Sequence, residues 1–329
     1  MLSLTTTGKT AGRRTSSDFY NDVVNGLKAA NKYLQSKYFY DETGDRLFQQ
    51  IMACPEYYPT RCEMEIMQHQ SARIAGLFTE QEEPFDLVEL GPGDATKSYY
   101  LLRELLKINA SFTYYPIDIS SNVIESLENK LPVSLPGLQL QGLNGEYMDK
   151  MERVSNISTR RKIVLFMGAN IGNMTMQQAI IFCRQLHGRM RPGDLLLTGF
   201  DLKKHPKTIL DAYNDRQGIT KAFNLNLLTR INRELGADFD IEQFEHYPVY
   251  DPGTGSCKSY LVSRIAQQVH FGNGATIGFM ENEPIFMEIS QKYSLPETDY
   301  IARQSGFQST HTIYDSKKWF ADILWQRLA

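Results

Sequence analysis

The chain has 329 residues, enough for two domains or for one large domain carrying an insertion, with well-buried cores. Apolar residues make up 42% and charged residues 22%, with 18 Tyr and 17 Phe, which excludes a disordered or fibrous polymer. A formal net charge of -3 argues against nucleic-acid binding, because proteins that displace counterions from phosphates carry a basic surface, and it leaves a small molecule as the expected partner.

The first twenty residues are polar and rich in Thr and Ser, with no apolar core of signal-peptide length, and no later segment approaches the length of a membrane span. These features predict a cytoplasmic protein without membrane association, and a first stretch of about ten to fifteen residues that is mobile or caps the substrate. Residues 17–35, SDFYNDVVNGLKAANKYLQ, have the pattern of a capped amphipathic helix. The stretch that follows, KYFYDETGDRLFQQIMACPEYYPTRCEMEIM, is densely aromatic. Its rings are too irregularly spaced for one helix face, and Pro55 and Pro59 predict a helix, a tight loop and a new helix.

An alternation of strands and helices begins at FDLVEL. The helix KSYYLLRELLK, the strand FTYYPIDIS, the helix SNVIESLENKL and the strand LQLQGLNG come next, then the strand and loop RKIVLFMGANIGNM, the helix TMQQAIIFCRQLHGRM and the strand GDLLLTGFDL. This order predicts an α/β fold, a mostly parallel sheet with helices on both faces and a ligand crevice beyond the carboxyl ends of the strands. After Asp201 the rhythm changes. A helical segment (205–236) leads into FEHYPVYDPGTG, CKSYLVSRIAQQVHF and IFMEISQKYS, which read as an antiparallel meander, and the last thirty residues or so return to α/β. The economical organisation is one domain over 62–202 and 293–329 and a second α+β domain over 10–61 and 203–292, inserted into the first and completed by the N-terminal segment.

The loop GPGDATKS follows the first strand of the alternation. Glycines there let a ligand approach the backbone closely, and the next helix offers free N–H groups. The loop lacks the third glycine of the dinucleotide fingerprint, since Thr96 stands in that place, and it lacks the Walker ending. Glu89 before Gly91, and Asp118 at the end of the next strand, suit S-adenosylmethionine, whose ribose diol needs a carboxylate acceptor. Spacing alone leaves a methyltransferase, a nicotinamide enzyme and a structural turn open. Cys54, Cys62, Cys183 and Cys257 show no Cys-x-x-Cys spacing and read as free thiols, and the six histidines show no ligand spacing, so neither a metal nor a histidine base is assigned.

Four further stretches, YDETGDRLFQQIMACPEYYPTR, FMGANIGNMT, DAYNDRQGITKAFNLNLLTRINRELGADFD and MEISQKYS, together with the glycine loop, resemble the S-adenosylmethionine-dependent histidine Nα-methyltransferases of ergothioneine biosynthesis. The resemblance implies a Rossmann-like class I methyltransferase domain with an inserted substrate-binding domain, and three successive methylations of the α-amino group of L-histidine to hercynine. It places Gly91 and Lys97 at the methionine end of the cofactor, Asp118 at the ribose, and Glu146 with Tyr147 in place of an Asp-Phe pair beside adenine, and Gly93 of the same loop is counted with the cofactor-binding residues. On the acceptor side it places Asn173 and Tyr213 at the substrate carboxylate, Tyr40, Phe48, Tyr57 and Gly168 around the amine and ring, and Glu288 with Ser290 on the imidazole. Tyr40, Gly168 and Asn173 stand closest to the chemistry. Ser259 occupies the position of a family methionine that lines the ring, which keeps another aromatic amino acid or a modified histidine open as acceptor. A protein that binds S-adenosylmethionine without turnover is the alternative from another class. A monomer is expected.

Strand alternation in IFMEIS puts Phe286, Glu288 and Ser290 on one face and Ile285, Met287 and Ile289 on the other. A pocket face explains a glutamate and a phenylalanine side by side better than solvent does. Asn173 has a second reading as a helix cap, and Asp118 as a turn residue before Ser120.

Overall fold

The computed structural model describes residues 16–328, and most of the N-terminal stretch expected to be mobile or substrate-capping lies outside the described residues. The chain folds into two compact units. The larger holds Arg46–Ala222, Tyr247–Ser259 and the chain from Glu288 onward, and the smaller holds the residues up to Asp45, Phe223–His246 and Tyr260–Met287.

In chain order, α1 (Ser16–Lys28) and a 3-10 turn (Ser36–Tyr38) precede α2 (Glu42–Ala53) and α3 (Tyr58–Thr79). Pro59 lies in the first turn of α3, where its missing N–H has no helical partner to lose, so it starts the helix and Pro55 alone sits in the break. The alternation follows as β1 (Phe85–Leu90), α4 (Ser98–Lys107), β2 (Phe112–Asp118), α5 (Ser121–Ser134), β3 (Leu143–Asn144), α6 (Tyr147–Ile157), β4 (Arg161–Phe166), α7 (Met176–His187) and β5 (Leu195–Asp201). Then come α8 (Pro206–Ala212), α9 (Ile219–Leu235), β6 (Phe244–Asp251), β7 (Ser256–Ser263), β8 (Gln267–His270), β9 (Thr276–Phe279), β10 (Pro284–Gln291), α10 (Leu295–Gln304), β11 (Phe307–Tyr314) and β12 (Phe320–Arg327).

Seven strands of the larger unit form one sheet in the order β11-β12-β5-β4-β1-β2-β3. β1 to β5 are parallel, and β12 runs antiparallel to both β5 and β11. The strands are apolar on both faces because both are covered. Leu87, Ile163, Leu165, Leu195 and Leu197 pack with Ile66, Met67 and Ile74 of α3 and Leu101, Leu102 and Leu105 of α4. The alternate residues Val88, Leu90, Val164, Phe166 and Leu196 pack with Met151 and Val154 of α6, Ala179, Ile180 and Cys183 of α7 and Ile301 of α10. The strand order reverses between β1 and β4, and a doubly wound sheet opens its ligand crevice at that switch point.

Two elements differ from the sequence expectation. The predicted strand LQLQGLNG shrinks to the two residues of β3, which Gly142 and Gly145 flank, the latter at φ 145°. Helix α6, which the sequence reading did not name, buries Met151 and Val154, three residues apart on one face.

In the smaller unit Phe239, Phe244 and Phe279 pack with ring centroids 5.5 to 6.0 Å apart. β8 and β9 form a two-stranded sheet, and a three-stranded sheet runs in the order β10-β7-β6. Residues 46–61 and 203–222, read from the sequence with the second domain, belong to the same compact unit as the seven-stranded sheet. All four cysteines are buried and free.

Candidate active site

The glycine loop leaves β1 through three left-handed residues, Gly91 at φ 70°, Gly93 at 58° and Ala95 at 54°, alternating with ordinary ones. Such an alternation turns backbone N–H groups toward one side, which suits an anionic ligand group. Gly91 donates its own N–H to the Ile117 carbonyl at 2.9 Å, which ties the loop to the end of β2. A β-carbon on Gly91 would lie 2.6 Å from the Tyr147 hydroxyl and 3.5 Å from Asn170 Nδ2. Gly91→Ala therefore combines a left-handed alanine with a collision. It should cost about 1–2 kcal/mol in chemical denaturation and weaken S-adenosylhomocysteine binding in calorimetry.

Glu89, read from the sequence as part of the ligand loop, serves the scaffold. Its Oε1 accepts from Ser98 Oγ at 2.6 Å and its Oε2 from the Tyr114 hydroxyl at 2.5 Å, which pins the start of α4 and β2 to β1. Burial raises its carboxyl above the usual range, and these two hydrogen bonds oppose the rise. Asp118 caps the end of β2, with one oxygen accepting the Ser120 N–H at 2.8 Å in the turn anticipated for it. Burial first, and then the charges of Asp118, Glu146 and Glu89, raise the Tyr147 hydroxyl, so a ring beside two of the proposed cofactor acids stays a neutral donor. Glu146 itself is exposed at the start of α6.

Across the switch point, the chain leaves β4 through Gly168 at φ 76° and Ala169 at φ 55°, and enters a 3-10 turn (Asn170–Asn173). Two successive left-handed residues, one with a side chain, store strain that the surroundings must hold. Glu63 of α3 supplies one restraint, because both of its carboxylate oxygens accept the Gly168 N–H, at 2.7 and 3.0 Å. The same carboxylate pairs with Lys97 of the glycine loop. Asn173 is exposed at the end of the turn, and Thr175 rather than Asn173 caps α7, through a capping box with Gln178. On its far side the turn meets β10, where a β-carbon on Gly172 would lie 3.0 Å from the Gln291 carbonyl and 3.8 Å from Ser290 Oγ.

Ser290 belongs to a buried polar cluster. The Tyr213 hydroxyl lies 2.6 Å from Ser290 Oγ, and the fully buried Lys292 donates to both, at 2.7 and 2.8 Å. Lys292 also pairs with Asp201 at 2.7 Å. Asp201 in turn accepts from the Tyr58 hydroxyl and from Lys204. Burial alone would raise the Asp201 carboxyl, but the Lys292 and Lys204 ammonium groups hold it below the usual range. Lys292 fills an acceptor lone pair on each of the Tyr213 and Ser290 oxygens, and since one proton lies in the bond from Tyr213 to Ser290, the pair has one O–H left to donate outward. The Tyr57 ring stands edge-on to Tyr213 at 6.0 Å.

Glu288 lies two residues before Ser290 on β10. Ser259 of β7, itself buried, donates to its Oε1 at 3.4 Å. Burial pushes the Glu288 carboxyl up to about 7, against weaker opposing pulls from the Ser259 hydrogen bond and the Lys292 charge. The structure thus brings Tyr57, Tyr213, Ser259, Glu288 and Ser290 together, and separately Gly91, Lys97, Tyr147 and Gly168. Phe48 is half-buried on α2, and Gly93 faces open space. Tyr40 lies in the smaller unit, about half exposed, with its ring edge-on to Phe223 at 5.8 Å. Lys292, Glu63 and Asn170 were not anticipated. For Lys292 a signal existed, since it continues the i, i+2 face of Phe286, Glu288 and Ser290.

These groups suit S-adenosylmethionine: bare left-handed backbone at the switch point, a lysine beside it, and an acid and a tyrosine at the next strand end. Known proteins agree. The model of the family described as histidine-specific, SAM-dependent methyltransferases matches residues 19–327. A histidine N-alpha-methyltransferase of Mycolicibacterium smegmatis is 34% identical over 294 residues, covering 88% of this chain and 89% of that protein. Its namesake from Mycobacterium tuberculosis is 34% identical over 273 residues, covering 83% of each. The ergothioneine biosynthesis protein 1 of Schizosaccharomyces pombe is 28% identical over 281 residues, covering 84% of this chain and 36% of that protein. With a doubly wound sheet, a glycine loop at its switch point and a family match along nearly its whole length, this chain belongs to the S-adenosylmethionine-dependent, histidine-specific methyltransferases.

Proposed function

We propose that this protein methylates the α-amino group of L-histidine with S-adenosylmethionine, in three steps that end at hercynine. The observation that carries this reading is the turn 168–173, which touches the glycine loop through Asn170 and Gly168 on one side and β10 at Ser290 on the other. A methyl group moves in line from sulfur to nitrogen, so donor and acceptor sites have to adjoin. Gly91, Gly93, Lys97, Asp118, Glu146 and Tyr147 would hold the cofactor, which supplies an electrophilic methyl group on a sulfonium.

On the acceptor side, Tyr213 and Asn173 offer neutral donors to the substrate carboxylate, and Lys292 behind Tyr213 adds positive charge without touching the substrate. Glu288 offers an acceptor to an imidazole N–H. A carboxylate enclosed against a purely hydrocarbon ring would be poorly paired, so Glu288 favours histidine over other aromatic amino acids. The amine must be neutral to attack, and its proton leaves to water.

The test is mass spectrometry of the protein incubated with S-adenosylmethionine and single amino acids. Histidine should gain three methyl groups, and phenylalanine, tyrosine and tryptophan none. Turnover of tryptophan in place of histidine would move the reading to the alternative that Ser259 motivates. Cofactor binding without turnover of any amino acid would make the chain a binding protein.

A further inference from the structure

Beneath the proposed cofactor site lies a group of charges that the methyl transfer itself does not use. Glu63 is 1% exposed, and its carboxylate joins two loops, accepting the Gly168 N–H beyond β4 and pairing with Lys97 beyond β1. Those loops flank the switch point. Asp322 of β12 is completely buried, and among the described residues neither of its oxygens has a hydrogen-bond donor. Among neighbouring groups, the Glu63 charge acts on its carboxyl most strongly. Gly199, the partner of Asp322 across β5 and β12, is bare at the same place, because a β-carbon there would strike Glu63 Oε1. The fold has therefore cleared room for one carboxyl against another, away from water.

Two neighbouring buried carboxyls disfavour a second negative charge between them, since like charges repel strongly in a low dielectric. Burial drives the Asp322 carboxyl well above the usual range, Glu63 adds to the rise and Lys97 opposes it. Lys97 moves the other way: burial alone would lower its ammonium, and Glu63 raises it above its usual value.

We infer that Glu63 and Asp322 act as one unit that holds a single proton and a single negative charge, and that this unit is the counter-ion that orients Lys97 and the Gly168 loop for the amino-acid end of the cofactor. The inference rests on the placement of that end at Lys97. In the unit, the Asp322 O–H donates to the Glu63 carboxylate, whose remaining lone pairs take Gly168 and Lys97. The charge belongs to the pair rather than to either residue. If one carboxyl becomes an amide, the other keeps the charge: in Glu63→Gln the amide donates to an ionised Asp322, and in Asp322→Asn it donates to an ionised Glu63. Only the double change removes both of these acids from Lys97, which keeps just the charge of Glu89 beyond them and loses the partner that orients it. Both are positioning residues, acting through Lys97.

The test is calorimetric binding of two probes to the full-length protein. S-adenosylhomocysteine carries the amino-acid end, and 5′-methylthioadenosine has the same adenosine without it. Glu63→Gln and Asp322→Asn should each weaken S-adenosylhomocysteine by no more than about 5-fold. The double variant should weaken it by about 50-fold or more, as Lys97→Met should, which is the range of a lost charge-assisted hydrogen bond. Methylthioadenosine should stay within about 3-fold throughout, which a merely structural role would not produce. Equal losses of both probes, or a double variant no weaker than the product of the single ones, overturn the inference. Should the double variant not fold, the wild-type-minus-Asp322→Asn infrared difference spectrum at pH 8 decides: it should show the loss of one buried protonated carboxylic-acid band, and a difference spectrum without that loss refutes the shared proton. A wild type that does not bind S-adenosylhomocysteine, or Lys97→Met that binds it unchanged, instead removes the cofactor placement on which the inference stands.

Discussion

Lys292→Met should lower kcat/KM for histidine by about 100-fold and destabilise the protein by about 3 kcal/mol. Lys292 is fully enclosed, and its ammonium has three partners, Asp201, Tyr213 and Ser290. Methionine fills much of the same volume, so the loss is electrostatic. Asp201 keeps Lys204 and the Tyr58 hydroxyl but loses half of its cationic company, and breaking a buried ion pair costs about 3–5 kcal/mol when one partner is removed. The catalytic loss has a separate origin. Without the lysine, the O–H that the Tyr213 and Ser290 pair has left is no longer biased outward, and a substrate carboxylate meets a weaker donor. The effect should fall on KM for histidine, with S-adenosylhomocysteine affinity unchanged, and urea denaturation should report the stability loss. An unaltered KM for histidine would rule out this role for Lys292.

Glu288→Gln should give a protein that is more stable and less active. The wild-type carboxyl titrates near 7 in the fold against 4.5 for an ordinary glutamate, so the native state holds its proton across a window in which the unfolded chain has already released it. Stability falls as pH rises through that window, by about 3 kcal/mol in all, and the loss is complete above pH 7. The amide has no proton to lose. Its stability advantage should vanish at pH 4 and reach about 3 kcal/mol at pH 8, read from paired urea titrations at the two pH values. At pH 8, where the wild-type group is a carboxylate, kcat/KM for histidine should drop by about 100-fold in the variant, because a neutral amide accepts an imidazole N–H less strongly than a carboxylate does. Parallel pH–stability curves for the two proteins would mean that Glu288 is not the group that titrates. Sites built to bind often carry this sign, with stability given up for function.

The parallel sheet was legible because its signals are local. A six- or seven-residue, largely apolar strand, a turn and a helix recur along the chain, and each strand of the alternation except LQLQGLNG took close to its predicted length. That segment failed for a local reason too, since two glycines cannot sustain a ladder. Glu288 and Ser290 were also readable, because period-two alternation placed them on one face of β10. Lys292 lies one residue beyond that strand and continues its face, so the pattern reached it although the reading stopped at Ser290. Glu63 and Asp322 had no such signal. Glu63 sits in an ordinary turn of α3, and its partners Lys97, Gly168 and Asp322 are 34, 105 and 259 positions away along the chain. Only the folding of the sheet brings them together.

The position of β12 bears on how the protein is made. Of the seven strands of its sheet it is the last in chain order, yet it lies inside the sheet, between β5 and β11. Until residues 320–327 emerge, β5 has a bare edge whose residues are all buried in the finished molecule, and β11 has nothing to pair with. A nascent chain in that condition shows an apolar, unpaired edge of the kind that recruits other strands, so it needs protection, by a chaperone or by fast completion of the sheet, until that strand is in place.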